Sequence, residues 1–255
     1  MIAGIAKAQE WFEAACVGAG HAIDLAFRAA LRLRLIGRKR REVMRQLVHV
    51  CLGSMPVVFI TALFTGMIVS LQTGDTLQDF GQESSLGYIV TVGMCREMGP
   101  VFTALALAGL VGSTYAAEIG TMKVSEEIDA LEVMSIDPVY YLVMPRIVAL
   151  AISGVVLTVY ADAIGIIGGA LVAQARFGVD IGLFLKNGRD AVELADIYGG
   201  LLKALVFGIT TAAVACSQGL RAGNGPAGVG QATLRAVVVS FIFVLAFDYI
   251  LSWLL

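Results

Sequence analysis

The chain has 255 residues, of which 58% are hydrophobic and 15% charged, with 29 glycines and a formal net charge of -2. Its mean hydropathy is +0.83, whereas soluble domains carry about 25% charged residues and cannot expose this much apolar surface, so a free cytosolic enzyme is excluded. The balance of charge leaves no basic footprint for nucleic acid, the low charge argues against disorder, and the aperiodic glycines argue against a fibre, which makes this an integral membrane protein.

The first ten residues hold Lys7 and Glu10 and no continuous apolar run, so no cleavable signal peptide is expected and the chain should start in the cytoplasm. From Trp11 to about Leu35, Phe12, Cys16, Ala19, Ile23, Phe27 and Ala30 recur at three- and four-residue steps, a helical stripe. Glu13, Asp24, Arg28, Arg32 and Arg34 interrupt it. Several charges at mid-depth would each cost about 2.5–3.5 kcal/mol, which favours an amphipathic helix lying in the interface over a sixth, poor span.

Crossing about 30 Å of hydrocarbon takes about 20 mostly apolar residues. Five stretches qualify: Leu47 to Leu71, Leu86 to Ala117, Ile147 to Ala173, Ile197 to Leu220 and Ala236 to Leu255. Just before the first lies Arg38-Lys39-Arg40-Arg41, which with Lys7, Arg28, Arg32, Arg34 and Arg45 makes the N-terminal region the most basic part of the chain. Positive residues stay on the cytoplasmic side, so the N-terminus is predicted inside, with the 118–146 and 221–235 segments. The 72–85 loop, with Asp75, Asp79 and Glu83 but no Lys or Arg, is then outside, as is the 174–196 loop.

The spans carry few charges. Arg96 and Glu97 lie about one third along the second, ahead of Gly99-Pro100, which weakens the helix. Asp162 lies in the third span, Lys203 early in the fourth, and Asp248 toward the end of the fifth. Ionisable groups at such depth face a protein interior or a wet cavity. Arg96, Glu97 and Lys203 share a depth in the outer half, so they can form a structural ion pair that holds the bundle, or a polar site for a lipid head group. Asp248 can pair with a base there, though the sequence names none, and Arg235 suits snorkelling or pairing. Gly109, Gly112, Gly165, Gly168 and Gly169 suit close helix packing.

Between the second and third spans, residues 116–146 predict a short acidic helix. Val124, Ile128, Leu131 and Met134 (or Ser135) fall on one face, with Glu126, Glu127, Asp129 and Glu132 on the rest. Ser125 precedes two acids, which the helix dipole favours at a start, and Pro138 and Pro145 close the segment. Periodicity leaves two readings open, a solvated loop helix or a docking helix that presses into a cytoplasmic partner.

Catalysis on this chain is not expected. The four cysteines, Cys16, Cys51, Cys95 and Cys216, are scattered without metal-ligand or disulfide spacing. No phosphate-cradling loop with its lysine occurs; GNGPAGVG at 223–230 lacks Lys and follows a span. His21 and His49, the only histidines, lie near no plausible nucleophile or metal set.

Three ordered blocks then resemble the MlaE/YrbE family of ABC-transporter permeases: REMGPVFTALALAG (96–109), AAEIGTMKVSEEIDALEVMSIDP (116–138) and YLVMPR (141–146). SLQTGD (70–75), SSLG (84–87), GIIGGALV (165–172) and GVGQATLRAVV (228–238) extend the likeness from about residue 45 to the end. The resemblance implies an all-α membrane permease: an interfacial N-terminal helix, five transmembrane helices, and a cytoplasmic coupling helix between the second and third spans. It implies one permease domain over 1–255, with 1–46 interfacial or cytoplasmic and 47–255 the transmembrane bundle. Such permeases move phospholipid or another hydrophobic substrate between membranes of a bacterial envelope, and related systems serve the inner envelope of chloroplasts. They pair as a homodimer, with a separate ATPase that binds ATP-Mg below and MCE-domain lipid-binding proteins on the outer side. In this chain the resemblance supports a docking role for 116–135, with Glu118, Gly120, Met122, Glu127, Asp129 and Leu131 as ATPase-coupling residues. It likewise supports Arg96, Glu97 and Lys203 as lipid-path residues, and a bacterial inner membrane as location. No cofactor, metal or nucleic-acid partner is implied for this chain itself. One departure is Leu110, which stands where many relatives have an Arg; Asp162 is not part of the expected pattern either. Rival readings are an ion-coupled secondary transporter, whose inverted repeats are not found, and a membrane scaffold without transport.

Overall fold

The computed structural model describes Gly18 and residues 20–32 and 36–255. Among these residues the chain is helical without strands. Helix α1 covers residues 20–31, and α2, Ile36–Asp79, is a single helix of 44 residues containing Pro56. At 1.5 Å per residue α2 is about 66 Å long, twice the hydrocarbon thickness, so its ends extend beyond it. After a 3₁₀ turn at Glu83–Ser85, the second span runs as α3 (Leu86–Gly93), α4 (Gly99–Leu107) and α5 (Ser113–Val124), joined by π-helical turns at Met94–Met98 and Ala108–Gly112. Short α6 (Glu127–Val133) follows, then a π turn at Val139–Val143 that leads into α7 (Met144–Phe177). Helices α8 (Ile181–Ala191), α9 (Leu194–Leu220) and α10 (Gly225–Leu254) complete the chain. Five helical segments are long and apolar enough to cross a membrane: Lys39–Asp79, Glu83–Val124, Val139–Phe177, α9 and α10. They cover the five stretches predicted, all but the last residue of the fifth, each extended at one or both ends.

Local chemistry sets the turns. Gly178, at φ +68°, ends α7 in the left-handed conformation that a side chain disfavours. Asp180 caps α8, its carboxylate accepting from the Leu183 N–H at 3.1 Å, and Glu193 with Asp196 forms a capping box on α9. Amphipathic α8 packs across α3, where a Cβ on Gly87 would overlap the Phe184 carbonyl.

Helix α9 is the central post. Every residue from Thr211 to Gly219 is buried, and the main core gathers Leu107, Tyr115, Ile119, Leu150 and Leu157 around it. On its other side α7 lies against α2 through glycine. A Cβ on Gly66 would overlap the Gly165 carbonyl, and one on Gly168 would come within 2.6 Å of the Leu63 carbonyl. Ser70 seals this contact by donating to the Gly169 carbonyl at 2.9 Å. Gly165, Gly168 and Gly169 thus pack as the sequence predicts, whereas Gly109 has no atom near its missing side chain. Helices α2 and α10 are the most exposed spans and cover the outside of the bundle.

Helix α1 lies against one end of the bundle, burying Ala22, Leu25 and Ala29 and turning Ile23, Phe27 and Leu31 outward. The described part of the predicted stripe, Ile23, Phe27 and Ala30, therefore faces away from the protein, as an interfacial helix requires; Phe12, Cys16 and Ala19 lie outside the described residues. The other end exposes Phe80, Tyr88, Tyr198, Tyr249 and Trp253, the aromatic population of a membrane–water boundary.

Candidate functional site

The charged residues of the second, fourth and fifth spans meet near the end of the bundle that carries the 80–85 turn and α8. Arg96 and Glu97 lie on the π turn at Met94–Met98 and, as adjacent residues of a helix, point in different directions. Helix α9 comes close to this turn because residue 200 is glycine; a Cβ there would overlap the Cys95 carbonyl. One turn further on, Lys203 enters the bundle with 2% of its side chain exposed. Its ammonium donates to Glu97 Oε2 at 2.6 Å, Ser252 Oγ at 2.7 Å and the Arg96 carbonyl at 3.2 Å, and Asp248 Oδ1 lies 3.3 Å away. Asp248 and Ser252 are four residues apart on α10 and so share a face. The Ser252 proton is divided between the Asp248 carbonyl at 2.7 Å and Glu97 Oε1 at 3.1 Å. Lys203 has three protons, all engaged.

Arg96 goes the other way. Its side chain is 50% exposed, with Nη1 3.8 Å from Asp196 Oδ1. It opens onto a cleft of about 190 Å³ lined also by Glu193, Asp196, Gly199, Lys203 and Ser252. Of the three residues singled out in the sequence, Glu97 and Lys203 form one network beneath the cleft, and Arg96 stands at its mouth. Asp248 and Ser252 complete the network. The sequence signalled Asp248 by its depth but not its partner, and gave no signal for Ser252.

At the opposite end, the predicted coupling residues divide into two groups. Helix α5 continues the second span to Val124, and the chain breaks at Ser125 and Glu126, the latter at φ 58°. Glu118, Gly120 and Met122 therefore sit on the last turns of the span. Glu118 pairs with Arg146 at 2.7 Å, and Arg146 also donates to the Leu142 carbonyl at 3.0 Å. Gly120 is buried against Ala222 and Val229, beyond the end of α9. Glu127, Asp129 and Leu131 lie on α6. Its apolar face does not stay together: Ile128 is buried in the main core and Leu131 packs on it, while Val133 and Met134 stand out, 87% and 61% exposed. Lys123 and Asp129 bridge the break at 2.9 Å.

The N-terminal region holds this end. Arg32 pairs with Asp137, the Lys39 ammonium lies 3.5 Å from the centre of the Tyr141 ring, and His21 Nδ1 lies 2.9 Å from Ser217 Oγ. Burial, then the Arg221 charge, holds the His21 imidazole below its usual pKa. Its contribution to folding is thus complete above that usual value and lost as pH falls through the lowered one. A second cleft of about 180 Å³ lies nearby, lined by His49, Gly53, Ser54, Tyr115, Glu118 and Leu110.

Residues 43–254 match the family profile of Permease MlaE. The chain is 40% identical over 213 residues to a probable ABC transporter permease of Rickettsia typhi, covering 84% of this chain and 82% of that protein. It is 39% identical over 217 residues to the intermembrane phospholipid transport system permease protein MlaE of Haemophilus influenzae, covering 84% and 83%. The chloroplastic protein trigalactosyldiacylglycerol 1 of Arabidopsis thaliana is 34% identical over 212 residues, 83% of this chain and 61% of the plant protein.

Proposed function

The chain belongs to the MlaE permease family and is the permease subunit of an ABC transporter, and on that footing we propose that it carries phospholipid through the membrane. The name of the Haemophilus relative supports that substrate class. The observation that carries the reading is Arg96, a half-exposed guanidinium on a cleft that Lys203 and Ser252 of the charge network also line. A phosphodiester head group is matched by a guanidinium fork, and the acyl chains have apolar helix faces beside them. Lys203, with every proton engaged, supports the site and holds Glu97 and Asp248 in place. Arg96→Gln should fold normally and lose most of the phospholipid that co-purifies with the wild type, on the order of tenfold for a lost charge-assisted contact. Quantifying bound lipid by mass spectrometry checks this; undiminished lipid would remove Arg96 from the path.

The ATPase is a separate chain in this proposal, binding ATP-Mg and docking against α6. The acids Glu127, Asp129 and Glu132 surround the exposed Val133 and Met134, a small apolar anchor of the kind that fills a partner groove. Leu131, packed on the core, holds α6 to the bundle, and Glu118 transmits its position to α7 through Arg146. Replacing Val133 and Met134 together by Asp should abolish co-purification of the ATPase while thermal stability stays unchanged, since surface changes away from packed contacts cost within about 0.5 kcal/mol. Normal recovery of the ATPase would place the docking surface elsewhere.

The basic N-terminal region supports a cytoplasmic position for α1 and α6 at a bacterial inner membrane. The Arg96 cleft then opens at the outer surface, where an MCE-type lipid-binding protein can exchange substrate with it. Two copies of the permease would pair through the exposed spans.

A further inference from the structure

At the α1 end of the bundle the first and second spans part around the cleft of about 180 Å³, which belongs to neither the Arg96 site nor the α6 docking surface. Its walls are two ladders of residues one helical turn apart. On α2, His49 and Gly53 share a face, as do Val50 and Ser54. On the second span, Leu110, Thr114 and Glu118 run from the Ala108–Gly112 π turn into α5. The α2 wall is open at Gly53, where no atom stands within 4 Å of the position a Cβ would take. Consecutive spans run antiparallel, which sets His49 at the Glu118 end and Ser54 toward the apolar Leu110 and Val111. Leu110 and Glu118, eight residues apart, are separated by about 12 Å along the helix. The cleft is thus a groove that is charged near the membrane boundary and apolar toward the middle of the bilayer.

Its charge selects the ligand. Among the described residues no Lys or Arg lines the groove. Arg146 holds Glu118 Oε2 at 2.7 Å and is otherwise bound to the Leu142 carbonyl. The Glu118 side chain is 44% exposed, and Arg146 takes one of its two oxygens, so Oε1 can accept from a ligand. A carboxylate in this position repels an anion and receives a cation that donates hydrogen bonds. We propose that the groove binds a membrane lipid with a primary-ammonium head group, of the phosphatidylethanolamine class, from the leaflet at the α1 end. The ammonium donates to Glu118 Oε1, and an acyl chain follows Leu110 and Val111 toward the bilayer centre. Arg45, one turn before His49 on the same face of α2 and 75% exposed, is placed for the phosphate; its pair with Glu42 is a surface one that yields at little cost. Because the groove is open along its side, its occupant exchanges with the leaflet and is read in a bilayer. Glu118 also joins α5 to α7 through Arg146, so the lipid touches the joint between the spans that flank α6. The site lies at the opposite end from Arg96, and the inference stands whether or not the protein carries phospholipid.

Photo-cross-linking in nanodiscs tests it. The full chain is placed in discs of phosphatidylglycerol with a trace of either phosphatidylethanolamine or phosphatidylglycerol bearing a diazirine in the upper acyl chain, and the marked peptides are identified by mass spectrometry. The ethanolamine probe should mark residues 49–54 and 110–118 at least about threefold more than the glycerol probe, and unlabelled phosphatidylethanolamine should displace it. Glu118→Gln should remove the preference. Gly53→Trp, whose side chain enters open space, should block both probes there, while Arg96→Gln should leave the marking unchanged. Equal marking by the two probes, a preference that survives Glu118→Gln, or marking unchanged in Gly53→Trp would overturn the proposal. So would the absence of marking, the result expected if a second copy of the chain covered the groove. Displacement by soluble glycerophosphoethanolamine as readily as by the lipid would assign the groove to a free amine and likewise overturn it. Should Glu118→Gln fail to fold, the preference between probes in the wild type and its loss in Gly53→Trp decide the same question.

Discussion

Replacing Lys203 by methionine should cost the protein about 3–5 kcal/mol, the loss expected when one partner of a buried ion pair is removed. Among the described residues the ammonium is the only cation within reach of both Glu97 and Asp248, at 2.6 and 3.3 Å. Without it two carboxylates face each other across the junction of three spans, and Ser252 has one proton to offer them. The expected reading is a large drop in melting temperature in detergent and poor recovery of folded protein. Exchanging the charges, Glu97→Lys with Lys203→Glu, should not restore stability, because the new carboxylate at 203 would stand beside Asp248. Neutralising the whole group, with Lys203→Met, Glu97→Gln and Asp248→Asn together, should recover much of it, since no charge is then left unpaired. A stable Lys203→Met protein would show that the network does not hold the spans together.

Gly66→Ala should be nearly as damaging, through packing rather than charge. The added methyl overlaps the Gly165 carbonyl on α7, a backbone atom that cannot turn aside. Overpacking of this kind costs about 1–3 kcal/mol, and here it separates the two helices along their longest contact. Gly53→Ala, in the same helix, is the control: no atom stands within 4 Å of the new methyl. There the higher helix propensity of alanine should leave stability unchanged or raised by up to about 1 kcal/mol. Thermal melts of the two variants side by side separate contact from propensity; equal melts would mean that α2 and α7 do not approach through these glycines.

The five spans were legible because a membrane imposes a coarse rule, about 20 apolar residues at a time. Depth is legible for the same reason, and it sets Glu97 and Lys203 at one level. Direction around a helix was not. Arg96 and Glu97 are neighbours in sequence, and nothing in the apolar pattern marks that one turns to the cleft and the other to Lys203. Asp248 illustrates the same limit, its depth readable but not the side of α10 that faces Lys203. Around residue 125 the periodicity of Val124, Ile128, Leu131 and Met134 suggested one continuous face. The chain instead reverses at Glu126 with a positive φ, so Ile128 and Leu131 turn to the core and Val133 and Met134 to solvent. Glu118 and Arg146 are 28 residues apart, and their pairing depends on how α5 and α7 are brought together.

The proposed movement of phospholipid by this permease, with energy from a partner ATPase, can be followed by reconstitution. The permease, its ATPase and the outer lipid-binding protein would be assembled in vesicles containing a labelled phospholipid, and transfer between the membrane and the lipid-binding protein followed with ATP and with a non-hydrolysable analogue. Transfer should require ATP hydrolysis and fall on the order of tenfold in Arg96→Gln. Hydrolysis by an intact complex without any movement of phospholipid would contradict it.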